Sequence, residues 1–97
     1  MSRYYLRPAA EADLERIWRY SLAHWGEARA ERYMADLRSA MERAAESPLI
    51  GTQMKIGARV LYFRRAASHR IFYRETERGV EVLRILHAQM DFERHLA

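Results

Sequence analysis

The chain predicts an α+β fold: an N-terminal strand, an antiparallel two-helix hairpin, then a three-stranded antiparallel meander, with the helices packed on one face of the sheet. Three observations carry this reading. Apolar residues repeat at helical spacing through the first half. After Gly51 they give way to short runs rich in Val, Ile, Tyr and Phe, broken by turn residues. Ahead of both lies an aromatic run, Tyr4 to Arg7, which has no hydrogen-bond partner unless it joins the later sheet. A length of 97 residues suits one domain, 1–97, built around one core.

Each element follows from local chemistry. Pro8 ends the first strand and suits the first turn of a helix, where its missing N–H is not needed. Ala10, Leu14, Ile17, Trp18, Ser21, Leu22 and Trp25 then form one stripe of an amphipathic helix. Arg7 stands where a Ser or Thr N-cap is common, which weakens that cap by about 1 kcal/mol. Gly26 stops the helix, since it tolerates a left-handed backbone. Ala30, Tyr33, Met34, Leu37, Met41, Ala44 and Ala45 repeat the stripe in a second helix, which Ser47-Pro48 ends. So short a connection makes the pair a hairpin. Gly51 to Gly57 reads as a basic loop.

Arg59–Arg65, Ser68–Glu75 and Gly79–His87 read as consecutive antiparallel strands, with Glu77-Arg78-Gly79 as the turn before the last. Val80, Val82, Leu83, Ile85 and Leu86 leave neither face of that last strand polar enough for a solvated edge, so it belongs inside the sheet. Arg84 within it then needs a carboxylate, because an unpaired buried charge is costly. Asp13, Glu11 and Asp91 are the candidates. Asp91 also suits the N-cap of a final turn, Phe92–Leu96.

Composition removes several function classes. Apolar residues at 49% and charged residues at 31% describe a soluble globular chain. No apolar run approaches the ~20 residues of a membrane span, and Met1-Ser2-Arg3-Tyr4 lacks the apolar core of a signal peptide. The absence of cysteine excludes disulfides, thiol chemistry and cysteine-based zinc sites, and points to the cytoplasm. His24, His69, His87 and His95 show no metal-ligand spacing, and there is no phosphate-binding glycine loop. No cofactor, metal or small-molecule substrate is expected.

The net charge of +4 is carried by the second half. Lys55 to Arg74 holds six basic residues and no acid. A surface there favours an anionic partner, nucleic acid or acidic protein. Sixteen of the seventeen basic residues are arginine, a bias that a GC-rich genome also produces without selection for binding.

Four patterns occur together: Asp13-Leu14-x-x-Ile17-Trp18-x-Tyr20, Trp25-Gly26-x-x-x-Ala30-x-x-Tyr33, His69-x-Ile71-Phe72-Tyr73-Arg74, and Arg84-Ile85-Leu86-His87-Ala88-Gln89-Met90-Asp91. In this order and spacing the chain, from Tyr4 to Leu96, resembles the ParE branch of the ParE/RelE superfamily of bacterial toxin–antitoxin modules. The resemblance implies the same fold and a non-enzymatic toxin that inhibits DNA gyrase by binding it, trapping the cleaved DNA complex so that replication stalls. It also implies neutralisation by a ParD-like antitoxin whose acidic, amphipathic tail folds onto the toxin.

The RelE-type relatives imply the alternative, a ribosome-dependent mRNA endoribonuclease. That chemistry needs a general base, a general acid and cations on the phosphate. Lys55, Arg59, Arg64, Arg65, His69, Arg84 and His87 are the right residue types. Arg84 and His87 are three apart, however, so a regular strand sends them to opposite faces unless a bulge intervenes. Phe92, the aromatic residue near that place, cannot transfer a proton.

The antitoxin tail is expected along the helix hairpin and adjoining sheet edge, on rims near Trp18, Leu22, Tyr33 and Leu37. Its acids are expected to pair with Arg59, Arg64, Arg65 and Arg70. Target contacts are expected at His87, Met90, Asp91 and His95, and truncation after Met90 is expected to spare the fold. Plainer readings stand beside these. Trp18 and Trp25 lie on the helix stripe and suit the core, or otherwise the lining of an antitoxin groove, and Met34 and Met41 suit gap-filling. Tyr20 and Tyr33 suit clamps for the hairpin, and His69, alternating with Ile71 and Tyr73, suits a hydrogen-bonded structural role. Asp13 suits the positive end of the first helix.

Overall fold

Pro8 separates β1 (Arg3–Leu6) from α1 (Pro8–Trp25), and Arg7 between them offers no side-chain cap to the helix. The structure, a computed structural model, describes residues 3–96. Met1 and Ser2, read above as part of a start without a leader core, and Ala97 lie outside the described residues. Gly26, at φ 86°, is the whole connection between α1 and α2 (Glu27–Glu46). A positive φ of this size strains any residue with a Cβ, which is why glycine turns the hairpin.

A 3₁₀ turn at Pro48–Ile50 leads into β2 (Thr52–Ile56), β3 (Arg59–Ala66), β4 (His69–Thr76), β5 (Gly79–His87) and a short α3 (Phe92–Leu96). The sheet order is β1-β5-β4-β3-β2. β1 runs parallel to β5, and the other neighbours are antiparallel. β5 is therefore interior, as its apolar sequence requires.

Two expectations need correction. The segment read as a loop from Gly51 to Gly57 contains β2, so the meander has four strands rather than three. Met54 and Ile56 alternate with exposed Gln53 and Lys55, and Gly57, at φ 62°, turns the chain back into β3. Nor is helix confined to one face. On one side α1 and α2 cover Ile71, Tyr73, Val80, Val82 and Ile85, using Ala10, Ile17, Leu37, Ala40, Met41 and Ala44. On the other side α3 contributes Leu96 and Phe92 to a second cluster with Leu61, Phe72, Leu83 and Leu86. Leu96 is 4% exposed, so truncation after Met90, expected above to spare the fold, would remove a buried residue from this cluster.

At the end of α2 the chain turns tightly against the sheet. The Tyr73 hydroxyl donates to the Pro48 carbonyl at 2.6 Å, and burial pushes the Tyr73 phenol above its ordinary pKa. Gly51 passes beside this contact, where a Cβ would strike the Tyr73 hydroxyl. Glycine is required there by space.

Candidate functional site

The site grows from a mismatch in strand length. β1 has four residues and stops at Leu6, opposite Val82, while β5 continues to His87. The edge of β5 beyond Val82 lacks a strand neighbour, and its backbone groups need other partners. Asp13 of α1 supplies one: its Oδ2 accepts the Ile85 N–H at 2.9 Å. The same carboxylate accepts from Arg84 Nε at 2.8 Å and Nη2 at 2.9 Å, and Arg16 also bonds it. Asp13 is 3% exposed and Arg84 18%, so this is a largely buried, two-pronged ion pair. The hydrogen bonds to Asp13 raise the Arg84 pKa further above its ordinary value.

Beside this edge opens a cleft of about 450 Å³ between the C-terminal half of α1, Tyr33 of α2, and the ends of β4 and β5. Ile17, Tyr20, Trp25, Leu86 and Met90 give it apolar and aromatic walls, and Tyr33, His69 and His87 give it polar ones. The Trp25 and Tyr33 rings lie 5.4 Å apart. Tyr33 Oη sits 2.6 Å from His69 Nδ1 and also accepts the Ser68 N–H at 3.2 Å. His69 and His87 are opposed across β4 and β5, edge to face, with ring centroids 5.4 Å apart.

Burial, then the neighbouring His87, lowers the His69 pKa to about 4, only partly offset by Asp13. His69 is thus neutral at pH 7, and its Nδ1 is hydrogen-bonded to the Tyr33 hydroxyl. The structural role read for His69 is what the geometry gives. A mostly apolar concavity with a few convergent polar groups is the usual form of a binding site.

The sequence-predicted residues separate into three places. Tyr33, His87 and Met90 share the cleft, although the first was read as an antitoxin contact and the others as target contacts. Trp18 is half-buried and Leu22 is exposed on the flank of α1. The residues of α1 that are fully packed are Ala10, Asp13, Ile17 and Ser21, so the buried stripe is rotated away from Leu22. Leu37, expected on a rim, is 0% exposed and belongs to the core; it faces the sheet, not a partner.

Arg59, Arg65 and Arg70 lie on the α3 side of the sheet. Arg64 points the other way, its Nη2 donating to the Ser47 carbonyl at 3.3 Å. Asp91 and His95 are exposed, just before and within α3. Tyr20, read as a clamp for the hairpin, is a cleft wall, and so is Trp25, read as core or otherwise as lining an antitoxin groove.

This arrangement disperses the parts of a phosphodiesterase. A register shift does occur, between Phe72 and Tyr73 opposite β5, but it precedes Arg84. Arg84 pairs with Phe72 and His87 with His69, so their side chains remain on opposite faces. The two histidines face the cleft, and most of the arginines that would hold a phosphate face α3. Among the described residues no cluster of His, Asp or Glu is placed to hold a metal ion, and no helix is long and apolar enough to cross a membrane.

A hairpin of helices on a five-stranded sheet, with a cleft at the sheet's short edge, has a counterpart among solved structures. A solved chain described as "Chromosomal ParDE TA system from P. aeruginosa" superposes with a TM-score of 0.76, covering 92% of this chain and 98% of that one at 15% identity. Residues 4–92 match the sequence profile of the family described as "ParE toxin of type II toxin-antitoxin system, parDE", and the chain belongs to that family. It is 44% identical to Toxin ParE1 of Mycobacterium tuberculosis over 99 residues, covering 98% of each. It is 41% identical to Toxin ParE1 of Caulobacter vibrioides over 97 residues, covering 99% of each.

Proposed function

We propose that this ParE-family toxin inhibits DNA gyrase by binding, holding the complex with cleaved DNA, and that a ParD-like antitoxin neutralises it. The observation that carries the reading is that Arg59, Arg65 and Arg70 lie on the face of the sheet opposite the His69–His87 pair, while Arg16 and Arg84, nearer that pair, are held by Asp13. Acid–base groups and phosphate-holding cations must converge on one scissile bond to cleave RNA. Here they diverge, and a binding cleft stands in place of a catalytic centre.

The antitoxin tail lies along α1 and enters the cleft, using Trp18, Leu22 and Tyr33. Apolar burial supplies the affinity that offsets the ordering of a flexible tail. Because Tyr33 shares the cleft with His87 and Met90, a tail seated there also covers the target contacts. Arg64 is the member of the basic group on the hairpin side and meets the tail's acids. Gyrase is met by His87, Met90, Asp91 and His95, at and beyond the end of β5.

Induction in a bacterial host tests this. The expected outcome is filamentation and DNA-damage signalling with intact mRNA, suppressed by co-expression of a ParD-like antitoxin. In the purified complex, hydrogen exchange should slow at α1 and around the cleft. A complex in which Leu22 and Tyr33 exchange as in the free toxin refutes the placement.

A further inference from the structure

Arg65 and Arg70 stand directly opposite one another on β3 and β4. Residues in that relation bring their Cβ atoms within about 4.5–5.5 Å, and like charges there are destabilising. Among the described residues neither has a carboxylate partner. The Arg70 guanidinium is held 5.2 Å over the Phe63 ring and 5.9 Å from that of Phe92. Its Nε is buried without a hydrogen-bond partner. Arg59, on the same face, is steadied by the Leu96 carbonyl at 3.0 Å. From Arg59 to Arg65 the extended strand covers about 20 Å, a length that one strand of a duplex crosses in about six nucleotides.

We propose that the α3-covered face of the sheet binds the sugar–phosphate backbone of DNA, with Arg65 and Arg70 straddling one phosphate and Arg59 holding another. The opposed guanidiniums are a destabilising pair until a shared anion sits between them. Phosphate suits a pair of arginines because each guanidinium offers it paired N–H donors. Half-buried Phe63 and Phe92 between the cations give the alternation of charge and ring that nucleic acid, rather than an acidic peptide, matches. This inference deepens the gyrase–DNA reading by naming the DNA backbone as a direct ligand of the toxin, on the face opposite the antitoxin-binding helices.

The test uses the full chain and a short labelled duplex of mixed sequence, followed by fluorescence anisotropy across a salt series. Wild type binds, with affinity falling linearly on a log–log plot against salt. Arg65→Gln/Arg70→Gln weakens binding about tenfold or more and reduces the salt slope by about 1. Arg38→Gln, on the exposed side of α2, changes neither, and circular dichroism verifies that all three proteins are folded. Equal binding by wild type and the double variant overturns the proposal. So does binding of poly-glutamate in place of the duplex, which would make the surface a protein site. A supercoiling assay run alongside keeps the two readings apart. A duplex that does not bind while gyrase is inhibited overturns this inference alone, whereas duplex binding with gyrase untouched overturns the gyrase reading alone.

Discussion

Replacing Arg84 with alanine probes the contact around which the site is built. The Asp13 carboxylate is 3% exposed and takes two bonds from Arg84, one from the Ile85 N–H and one from Arg16. Breaking a buried pair by removing one partner costs about 3–5 kcal/mol, because the remaining charge is left uncompensated. Two structural facts lower that figure here: Arg84 is 18% exposed, and Arg16 with the Ile85 N–H still serves the carboxylate. About 2–3 kcal/mol remains, which in a domain of this size lowers Tm by about 10–20 °C.

Asp13→Ala loses the strand-edge acceptor as well and should destabilise at least as much. The double variant Asp13→Ala/Arg84→Ala should then recover about 1.5 kcal/mol or more relative to the sum of the single effects. Thermal melts followed by circular dichroism, with growth assays on the same variants, measure all of this. If Arg84→Ala melts like wild type but has lost toxicity, Arg84 is a functional contact and the structural reasoning is wrong.

Three further outcomes follow from the packing. The His69 pKa is lowered from 6.5 to about 4, so the folded state binds fewer protons than the unfolded state between those values. Stability should therefore be full above pH 6.5 and fall as the pH drops toward 4, by about 1–2 kcal/mol once solvent screening of this half-buried ring is allowed for; His69→Gln should flatten that part of a denaturation-versus-pH curve. Leu96→Ala should cost about 2–4 kcal/mol, because Leu96 is the buried anchor of α3 over the second cluster; an unchanged urea midpoint would show that α3 does not hold that face. Leu37→Ala should destabilise the free toxin by about 3–5 kcal/mol, whereas Leu22→Ala should leave it within about 0.5 kcal/mol and weaken antitoxin binding instead; titration calorimetry with the antitoxin separates the two.

Much of this architecture was legible in the residues. The 3.6-residue stripes, Pro8, Gly26 and Ser47-Pro48 located both long helices, and the apolar run in Gly79–His87 located the interior strand with the same limits that the structure gives. The need of Arg84 for a carboxylate was legible because a charge among Val, Leu and Ile has few solutions, and Asp13 was among those named. β2 was not, because five residues with two polar members look like a loop until Met54 and Ile56 are seen turning toward a cluster that includes α3. Leu37 and Leu22 occupied the same sequence stripe pattern but opposite fates, since periodicity marks an apolar face without saying how far it is rotated into the sheet. The cleft itself depended on where β1 stops along β5, and the register of that parallel pairing is a tertiary fact that no local pattern encodes. The arginines from Lys55 to Arg74 were legible as a charge run, but only strand parity divides Arg64 from Arg59, Arg65 and Arg70.

Action on gyrase by binding and action on RNA by cleavage separate in one experiment. It incubates the purified chain with gyrase, supercoiled DNA and nucleotide, and in parallel with translating ribosomes carrying a defined mRNA. A toxin that acts by binding gyrase gives accumulation of gyrase-cleaved DNA, loss of supercoiling and uncut message, with the DNA effect abolished by prior addition of the ParD-like antitoxin. Ribosome-dependent cuts in the message, with gyrase supercoiling at its normal rate, would contradict action on gyrase.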